Sequence, residues 1–215
     1  MKNVYDLDNY KVQYLIKSDK NLGLLIKYIK TCELYIEVDG FKCLIKYIIG
    51  QQISDKARET IWNRFCINLK EITPLIVLNV PDNKFMAIGI SYRKIMYIKE
   101  LAKYIIENNI DFKQFEIMNN EDIIKILTSI NGIGRWTAEM YLIFSLGREN
   151  ILSKGDGTIK RTIQWMYNLK DLPTQIELEK IFKKWNKYST IVSAFLWKSI
   201  ELGLTQKSFY EIIKI

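Results

Sequence analysis

Histidine is absent from the 215 residues of this chain. Its absence excludes Ser–His–Asp and Cys–His nucleophilic triads and HExxH zinc sites, because each of them requires an imidazole. Any acid–base chemistry must therefore come from carboxylates, lysines or tyrosines.

Cysteine is scarce as well. Cys32, Cys43 and Cys66 show no CxxC spacing, which is the spacing typical of redox and zinc motifs. Each of the three lies in a segment with the apolar pattern of a helix. We therefore expect buried, reduced thiols in a cytoplasmic protein.

Long apolar runs are also missing. No uncharged apolar stretch approaches the roughly 18 residues that a membrane-spanning helix needs. The N-terminal segment contains no uninterrupted apolar stretch of the signal-peptide type. We expect a protein that is neither exported nor inserted in a membrane.

The charge is unbalanced toward the basic side, with 32 lysines and arginines against 24 carboxylates and a net charge of +8. A basic chain is a candidate for binding nucleic acid or another anionic surface. Lysine, isoleucine and asparagine are all abundant, however, and such a bias raises the net charge without any binding function. Charge alone leaves the partner open.

Apolar residues recur at helical spacing along almost the whole chain, as in the run Ile95, Ile98, Leu101, Ala102 and Ile105. Hydrophobic residues make up 48% of the sequence, which is enough for the core of one domain or of two small subdomains. We predict an all-α fold.

N-cap residues before four periodic runs indicate helix starts. They are Ser18 with Asp19, Ser54 with Asp55, Ser91, and Asn119 with Asn120. One segment, from Ile72 to Pro81, resembles a strand, and its two prolines restrict it to a loop or a short edge element.

A glycine-punctuated turn is the most informative feature of the sequence. Gly132 and Gly134 bracket Ile133 between two predicted helices, and glycine adopts positive φ in a tight turn without steric cost. The amides of the turn and of the helix that begins near Arg135 then face outward and can hold a phosphate. Such a contact positions a duplex without reading its sequence.

Four blocks in this order resemble the helix-hairpin-helix DNA glycosylases of the HhH-GPD superfamily, in particular the bacterial 3-methyladenine DNA glycosylase II branch. The blocks are residues 41–65, 87–105, 127–150 followed by 154–161, and 185–197. The resemblance implies two helical subdomains with an active-site cleft between them. We expect one subdomain at 40–149, containing the hairpin, and a discontinuous one at 1–39 plus 150–215.

Asp156 matches the catalytic aspartate of that family. Cleavage of a base from deoxyribose passes through an oxocarbenium-like sugar, so the site needs a fixed negative charge or a carboxylate that aims water. Asp156 precedes a predicted helix, whose dipole and free amides favour a negative charge there. A plain Asp–Gly turn or N-cap has the same local sequence, and the upstream hairpin at the family's spacing favours catalysis.

Trp136 stands where family members that also nick the backbone carry a Schiff-base lysine, two residues after the second hairpin glycine. The resemblance therefore implies a monofunctional enzyme. The indole offers a surface for a cationic alkylated purine of the 3-methyladenine or 7-methylguanine type. The resemblance also assigns Trp197 and Met140 to the base pocket, although Trp197 is equally consistent with core packing.

The target base must leave the stack, and a side-chain wedge can fill the gap. The resemblance assigns the wedge to Tyr92, with Ile90 as its neighbour, and a simple helix-start loop is the alternative. Gln51 and Gln52 could reach the gap with amide hydrogen bonds, although buried helix-cap glutamines would look the same.

The resemblance implies a phosphate-binding hairpin and a cation beside it. The hairpin residues are Asn131, Gly132, Ile133, Gly134, Arg135 and Thr137. A structural Na⁺ or K⁺ would be held by the backbone carbonyls of Thr128, Ile130 and Ile133. We expect no cofactor for catalysis and no iron–sulfur cluster, because the four-cysteine pattern of the endonuclease III branch is missing.

The expected partner is double-stranded DNA containing a damaged base, bound by a monomer in the cytoplasm at the nucleoid. Two alternatives remain: a helix-hairpin-helix DNA-binding module without catalysis, and a bifunctional glycosylase with lyase activity on oxidised bases. Asp156 and the two tryptophans argue against the first. Trp136 argues against the second, although a lysine such as Lys154 could serve as its nucleophile. Which damaged base is preferred depends on the width of the base pocket, and that width depends on how the side chains pack.

Overall fold

A computed structural model describes residues 1–213, with the backbone alone at Asn186. The described chain is mostly helical, which confirms the predicted fold class. It divides into one continuous unit, residues 37–146, and one discontinuous unit, residues 1–36 with 147–215. The boundaries expected from the sequence, 40 and 149, each fall three residues later than these.

The N-terminal part of the discontinuous unit contains two helices and a small sheet. In chain order these are β1 (Lys2–Tyr5), α1 (Tyr10–Ser18), α2 (Lys20–Ile29) and β2 (Cys32–Tyr35). The strands pair antiparallel, with Lys2 opposite Tyr35. Neither strand was predicted, and the placement of Cys32 in a helix was wrong, because four residues are too few to show the alternation of apolar and polar residues typical of a strand.

The continuous unit holds seven α-helices among its described elements. They are α3 (Gly40–Gly50), α4 (Asp55–Asn68), α5 (Pro74–Asn79), α6 (Asp82–Ala87), α7 (Tyr92–Glu107), α8 (Asn120–Thr128) and α9 (Arg135–Phe144), with a 3-10 turn at Phe112–Glu116. Helix α3 is buried along most of its length and packs against α4, α7 and α9. It therefore forms the centre of this unit.

The segment from Ile72 to Pro81 is helical, so its assignment to a loop or edge strand was wrong. Pro74 occupies the first turn of α5, where a helix has no use for its missing amide. The Thr73 hydroxyl caps this turn by accepting the Ile76 amide at 3.3 Å. Pro81 follows the helix and is the N-cap of α6. The prolines thus delimit short helices instead of interrupting a strand.

The C-terminal part of the discontinuous unit is helical. It contains α10 (Gly157–Tyr167), α11 (Gln175–Trp185), α12 (Ser189–Glu201) and α13 (Phe209–Ile213), with 3-10 turns at Asn186–Tyr188 and Leu204–Gln206. Helix α12 is the most buried of them, and it packs against α2 and α10.

The predicted helix starts are confirmed. Asp19, Ser54 and Asn119 each accept a backbone amide of the helix that follows, from Leu22, Ala57 and Asp122. Ser91 is the N-cap of α7 without a side-chain bond. No helix among the residues described here is long and apolar enough to span a membrane.

The cysteines differ in exposure. Cys32 and Cys43 are buried, and burial raises the pKa of the Cys32 thiol to about 12. Cys66 is exposed, which corrects the expectation of three buried thiols. It lies on α4, where Trp62 and Phe65 face the interior of the unit.

Candidate functional site

The turn between α8 and α9 depends on Gly132. Its φ is +90°, and a Cβ there would lie 2.0 Å from the ring of Tyr97. The positive φ and the short distance to the Tyr97 ring each exclude a residue larger than glycine. The Ile133 amide donates to the Ile130 carbonyl at 3.0 Å, and the Ile133 side chain is buried. The hairpin is therefore closed by its own backbone and anchored by one apolar side chain.

Gly134 is in a different situation. Its φ is −88°, which any residue can adopt, and a Cβ there would have no neighbour within 4 Å. The idea that both glycines serve the tight turn is therefore wrong for Gly134. As the N-cap of α9 it provides no side-chain acceptor for the first amides of the helix. Open space and available amides at one point are what an approaching phosphate needs.

An open cavity of about 480 Å³ lies over the hairpin. Its walls are residues 128–134 together with Gln51, Arg93 and Tyr97. The Arg93 guanidinium lies 5.5 Å from the centre of the Tyr97 ring and donates to the Tyr97 hydroxyl. Arg93 and Tyr97 were not predicted as site residues. Their signal in the sequence is a basic residue and an aromatic residue four positions apart at the start of α7.

Gln51 supports the hairpin from the end of α3. Its side-chain amide donates to the Gly132 carbonyl at 2.9 Å and to the Thr137 hydroxyl at 3.0 Å. These bonds make Gln51 a support of the hairpin, and its role at the gap in the DNA stays a prediction. The Thr137 side chain is buried, which leaves the backbone of this residue for the predicted phosphate contact. Gln52 is exposed, with a φ of +57°.

The two proposed wedge residues differ sharply in exposure. Tyr92, the first residue of α7, is 59% exposed, whereas Ile90 is 3% exposed. Ile90 therefore belongs to the core of its unit, and its assignment beside the wedge was wrong. Tyr92 lies in the first turn of α7 with its side chain exposed, whereas Ile90 precedes the Ser91 N-cap and packs inward.

The Arg135 side chain is held by two carboxylates. Its guanidinium lies 2.8 Å from Glu121 and 3.0 Å from Glu139. The hydrogen bond to Glu121, with smaller help from Glu139, raises the pKa of Arg135. These pairs engage the Arg135 guanidinium, and the phosphate contact predicted for the hairpin involves backbone amides. Asn131 at the tip of the turn is exposed.

Trp136 is half-buried in the first turn of α9. Its ring meets that of Tyr47 edge to face, with the ring centres 6.1 Å apart. Met140 follows one turn later on the same helix and is 2% exposed. Part of the indole therefore remains accessible, while Met140 packs inside the unit.

Asp156 is the N-cap of α10. Its Oδ1 accepts the amides of Thr158 at 2.7 Å and Ile159 at 3.0 Å, and the residue is 8% exposed. Two amide donors on one oxygen fix the orientation of the carboxylate. Trp197 lies half-buried on α12, the helix that packs against α10.

The predicted site residues fall into two groups. The hairpin, Trp136, Tyr92 and the two glutamines belong to the continuous unit, whereas Asp156 and Trp197 belong to the discontinuous one. Lys154, the alternative nucleophile, is exposed and pairs with Glu179 at 3.4 Å. The described residues include no cluster of three or more histidine, cysteine or acidic residues that could hold a metal ion.

Known proteins resemble this chain in sequence. Residues 45–187 match a family described as HhH-GPD superfamily base excision DNA repair protein. The alkylbase DNA glycosidase-like protein mag2 of Schizosaccharomyces pombe is 30% identical over 193 residues, which are 86% of this chain and 91% of the relative. DNA-3-methyladenine glycosylase 1 of the same yeast is 34% identical, over 77% of this chain and 74% of its own.

Solved structures are similar as well. DNA-3-methyladenine glycosidase from Bacillus halodurans matches with a TM-score of 0.81 and 29% identity, over 99% of this chain and 100% of that one. The S. pombe 3-methyladenine DNA glycosylase, solved in complex with abasic DNA, matches with a TM-score of 0.82 and 29% identity, over 90% and 97% of the two chains.

Proposed function

This chain belongs to the HhH-GPD superfamily of base excision DNA repair proteins, and we propose that it is a monofunctional DNA glycosylase for alkylated purines. It binds DNA, flips a 3-methyladenine or 7-methylguanine type of base out of the duplex and hydrolyses the N-glycosidic bond. The observation that carries the proposal is Asp156, buried at the start of α10 with its carboxylate oriented by two amides.

The carboxylate of Asp156 suits a reaction with a cationic transition state. As the bond between C1′ and the base breaks, positive charge develops on the sugar, and a fixed carboxylate nearby stabilises it. Water then adds to C1′ and loses a proton, which the carboxylate can accept. Because Asp156 is mostly shielded from solvent, its interaction with a developing charge is less screened than it would be at the surface.

A cationic base leaves as a neutral molecule, so no side chain has to donate a proton to it. This agrees with a chain that has no histidine. The accessible part of the Trp136 indole offers a face to such a base, an attraction of about 0.5–2 kcal/mol. We assign Trp136 and Trp197 to the recognition of the flipped base.

Trp136 also supports the monofunctional reaction, because it occupies the position of the lysine in related lyases. Lys154, the other candidate, is exposed and paired with Glu179. An amine held by a carboxylate at the surface is a poor nucleophile, since activation of lysine requires desolvation or a neighbouring positive charge.

Tyr92 and Gln52 are the candidates for the gap that the flipped base leaves. Both are exposed, and they lie at the start of α7 and in the turn after α3. The left-handed conformation of Gln52 is one that a non-glycine residue adopts at a cost of about 1–3 kcal/mol, and such positions are frequent at functional sites.

The hairpin would hold a DNA phosphate through the backbone amides of Gly134 and the first turn of α9. The carbonyls of Thr128, Ile130 and Ile133 would hold a structural Na⁺ or K⁺ beside it. These carbonyls are hard oxygen donors and fit a monovalent cation in chemistry. The Ile130 carbonyl already accepts the Ile133 amide, so one lone pair remains for the ion.

The experiment is incubation with duplexes that carry 3-methyladenine, 7-methylguanine, hypoxanthine or 8-oxoguanine, analysed with and without alkali. We expect release of the methylated purines and an abasic strand that breaks only after alkali. Borohydride should trap no covalent adduct. An adduct, or strand breakage without alkali, would establish the lyase instead.

Asp156→Asn tests the residue that carries the proposal. Asparagine keeps a side-chain oxygen for the helix cap, so the variant should fold and bind DNA. We expect excision to fall about 100- to 1,000-fold, as on loss of one preorganised electrostatic group. Asp39→Asn, the same change at the N-cap of α3, is the matched control. Excision at the wild-type rate by Asp156→Asn would remove this residue from the mechanism.

A further inference from the structure

The segment that leads into Asp156 has no regular secondary structure of its own. Residues 148–155 form neither helix nor strand, and one residue of α12 forms hydrogen bonds with several backbone groups in their first half. This residue is Thr190. Its amide donates to the Glu149 carbonyl at 3.0 Å. Its hydroxyl accepts the Ile151 amide at 3.1 Å and lies 2.7 Å from the Arg148 carbonyl.

The hydroxyl of Thr190 both donates and accepts a hydrogen bond. A threonine hydroxyl has one proton to donate and two lone pairs to accept with. The proton goes to the Arg148 carbonyl, the shorter contact, while the Ile151 carbonyl lies within reach at 3.1 Å. Thr190 is 2% exposed, so water cannot replace it. Loss of the hydroxyl would leave backbone groups of the segment without their partner in a buried place.

A further hydrogen bond connects the segment held by Thr190 to Asp156. The Asp156 amide donates to the Ser153 carbonyl at 3.1 Å, two residues beyond the part that Thr190 holds. On the other side, Oδ1 of Asp156 caps α10. Asp156 is thus fixed by α10 from one direction and, through residues 148–153, by α12 from the other.

We propose that Thr190 is a positioning residue of the glycosylase reaction, which holds residues 148–151 so that the Asp156 carboxylate keeps its place. The inference rests on the proposed function. Thr190 is buried and acts through the backbone groups that it binds. A displacement of a catalytic group on the scale of 1 Å lowers a rate strongly even when the fold survives.

A second attachment makes this inference testable. The Lys11 ammonium on α1 forms an ion pair with Glu149, with Nζ 2.5 Å from Oε2 of the Glu149 carboxylate. This pair does not involve Thr190. A variant without the Thr190 hydroxyl should therefore keep the segment near α1 and α12, with its backbone displaced and not unfolded.

The test compares Thr190→Val, which lacks the hydroxyl, with Thr190→Ser, which retains it. Single-turnover excision of 7-methylguanine should fall at least about tenfold in Thr190→Val and recover to within about threefold of wild type in Thr190→Ser. Affinity for a duplex with an abasic-site analogue should stay within about twofold, since phosphate contacts dominate such binding. Ser193→Ala, which removes a buried hydroxyl bonded only within α12, is the matched control.

A double-mutant cycle shows whether Thr190 acts through Asp156. In the Asp156→Asn background, Thr190→Val should slow excision by less than about twofold, because residues that act as a unit are not additive. An equal loss in both backgrounds would overturn the proposal, as would full activity of Thr190→Val or a matching loss in Ser193→Ala.

Hydrogen exchange separates this inference from the proposed function. Amides of residues 149–156 should exchange faster in Thr190→Val and at the wild-type rate in Ser193→Ala. If the wild-type protein released no methylated base, the proposed function would fail. In that case the positioning role of Thr190 in excision would fail with it. If the wild-type enzyme were active and the exchange rates in Thr190→Val were unchanged, only the role of Thr190 would be overturned.

Discussion

The side-chain amide of Gln51 donates to the carbonyl oxygen of Gly132 at 2.9 Å and so joins the end of α3 to the hairpin. The two residues are 81 positions apart in the chain. The bond holds the turn that carries the amides proposed for phosphate binding. The hairpin between α8 and α9 is therefore supported by a side chain from the end of α3.

Gln51→Glu should weaken DNA binding. The substitution replaces a donor by a carboxylate that faces the Gly132 carbonyl, so the hairpin must shift to relieve the repulsion. We expect a loss of about 1–3 kcal/mol in the free energy of unfolding and roughly tenfold weaker binding of undamaged duplex. Titration by fluorescence anisotropy measures the binding.

Gln114→Glu introduces the same charge at an exposed glutamine of the same unit and is the control. If both variants bind equally well, Gln51 does not support the hairpin in solution.

The two hairpin glycines should respond differently to alanine. Gly134→Ala should fold with wild-type stability, because its Cβ meets nothing within 4 Å, but the new methyl group would obstruct a phosphate. Gly132→Ala should be destabilised, since its Cβ would collide with Tyr97 and its φ is +90°. Thermal unfolding and a salt titration of DNA binding separate the two effects.

Unchanged DNA affinity of a well-folded Gly134→Ala protein would mean that no phosphate approaches this amide. Wild-type binding should fall steeply with salt and vary little with sequence, because release of counterions dominates phosphate contacts.

Trp136→Ala should excise methylated purines more slowly than Trp136→Phe, since phenylalanine retains an aromatic face for the cationic base. We expect a difference of about twofold to thirtyfold from a contact of about 0.5–2 kcal/mol. Single-turnover excision of 7-methylguanine provides the measurement. Equal rates in the two variants, with equal stability, would show that the indole only packs against Tyr47.

Acid should weaken the discontinuous unit through Asp19. Burial alone would raise the pKa of this carboxyl, but hydrogen bonds from the Tyr167 hydroxyl, the Leu22 amide and the Lys184 ammonium outweigh it and lower the pKa below its ordinary value of 3.8. A lowered pKa in the folded state adds stability above the unfolded pKa, and this stability is lost as the pH falls through the folded pKa.

Asp19→Asn should therefore lower the free energy of unfolding at pH 7 by about 1.5–3 kcal/mol, the range for hydrogen bonds to a charged group. The difference from wild type should shrink below about pH 4, where the unfolded carboxyl becomes protonated. Denaturant unfolding at several pH values measures it. Asp171→Asn, at an exposed aspartate of the same unit, is the control. An Asp19→Asn difference independent of pH would argue against the ionic contribution of Asp19.

Features set by residues close together in the chain were predictable. The caps at Asp19, Ser54 and Asn119 each accept the amide three residues ahead, and their residue types reveal them. Asp156 was recognised before its helix for the same reason, and Gly132 shows the positive φ that its turn requires. Helical periodicity over ten or more residues was enough for the fold class.

What the sequence determined by itself is therefore the helices, their caps, the hairpin and the position of the acid, because each follows from local stereochemistry. The tertiary structure decided which side chains are available. Ile90 is buried while Tyr92 is exposed, Gln51 and Thr137 face the hairpin from inside, and Arg135 is held by carboxylates. β1 and β2 pair across some thirty residues, and Thr190 meets Ile151 across 39. Such contacts form only when distant segments pack together, and no local pattern encodes them.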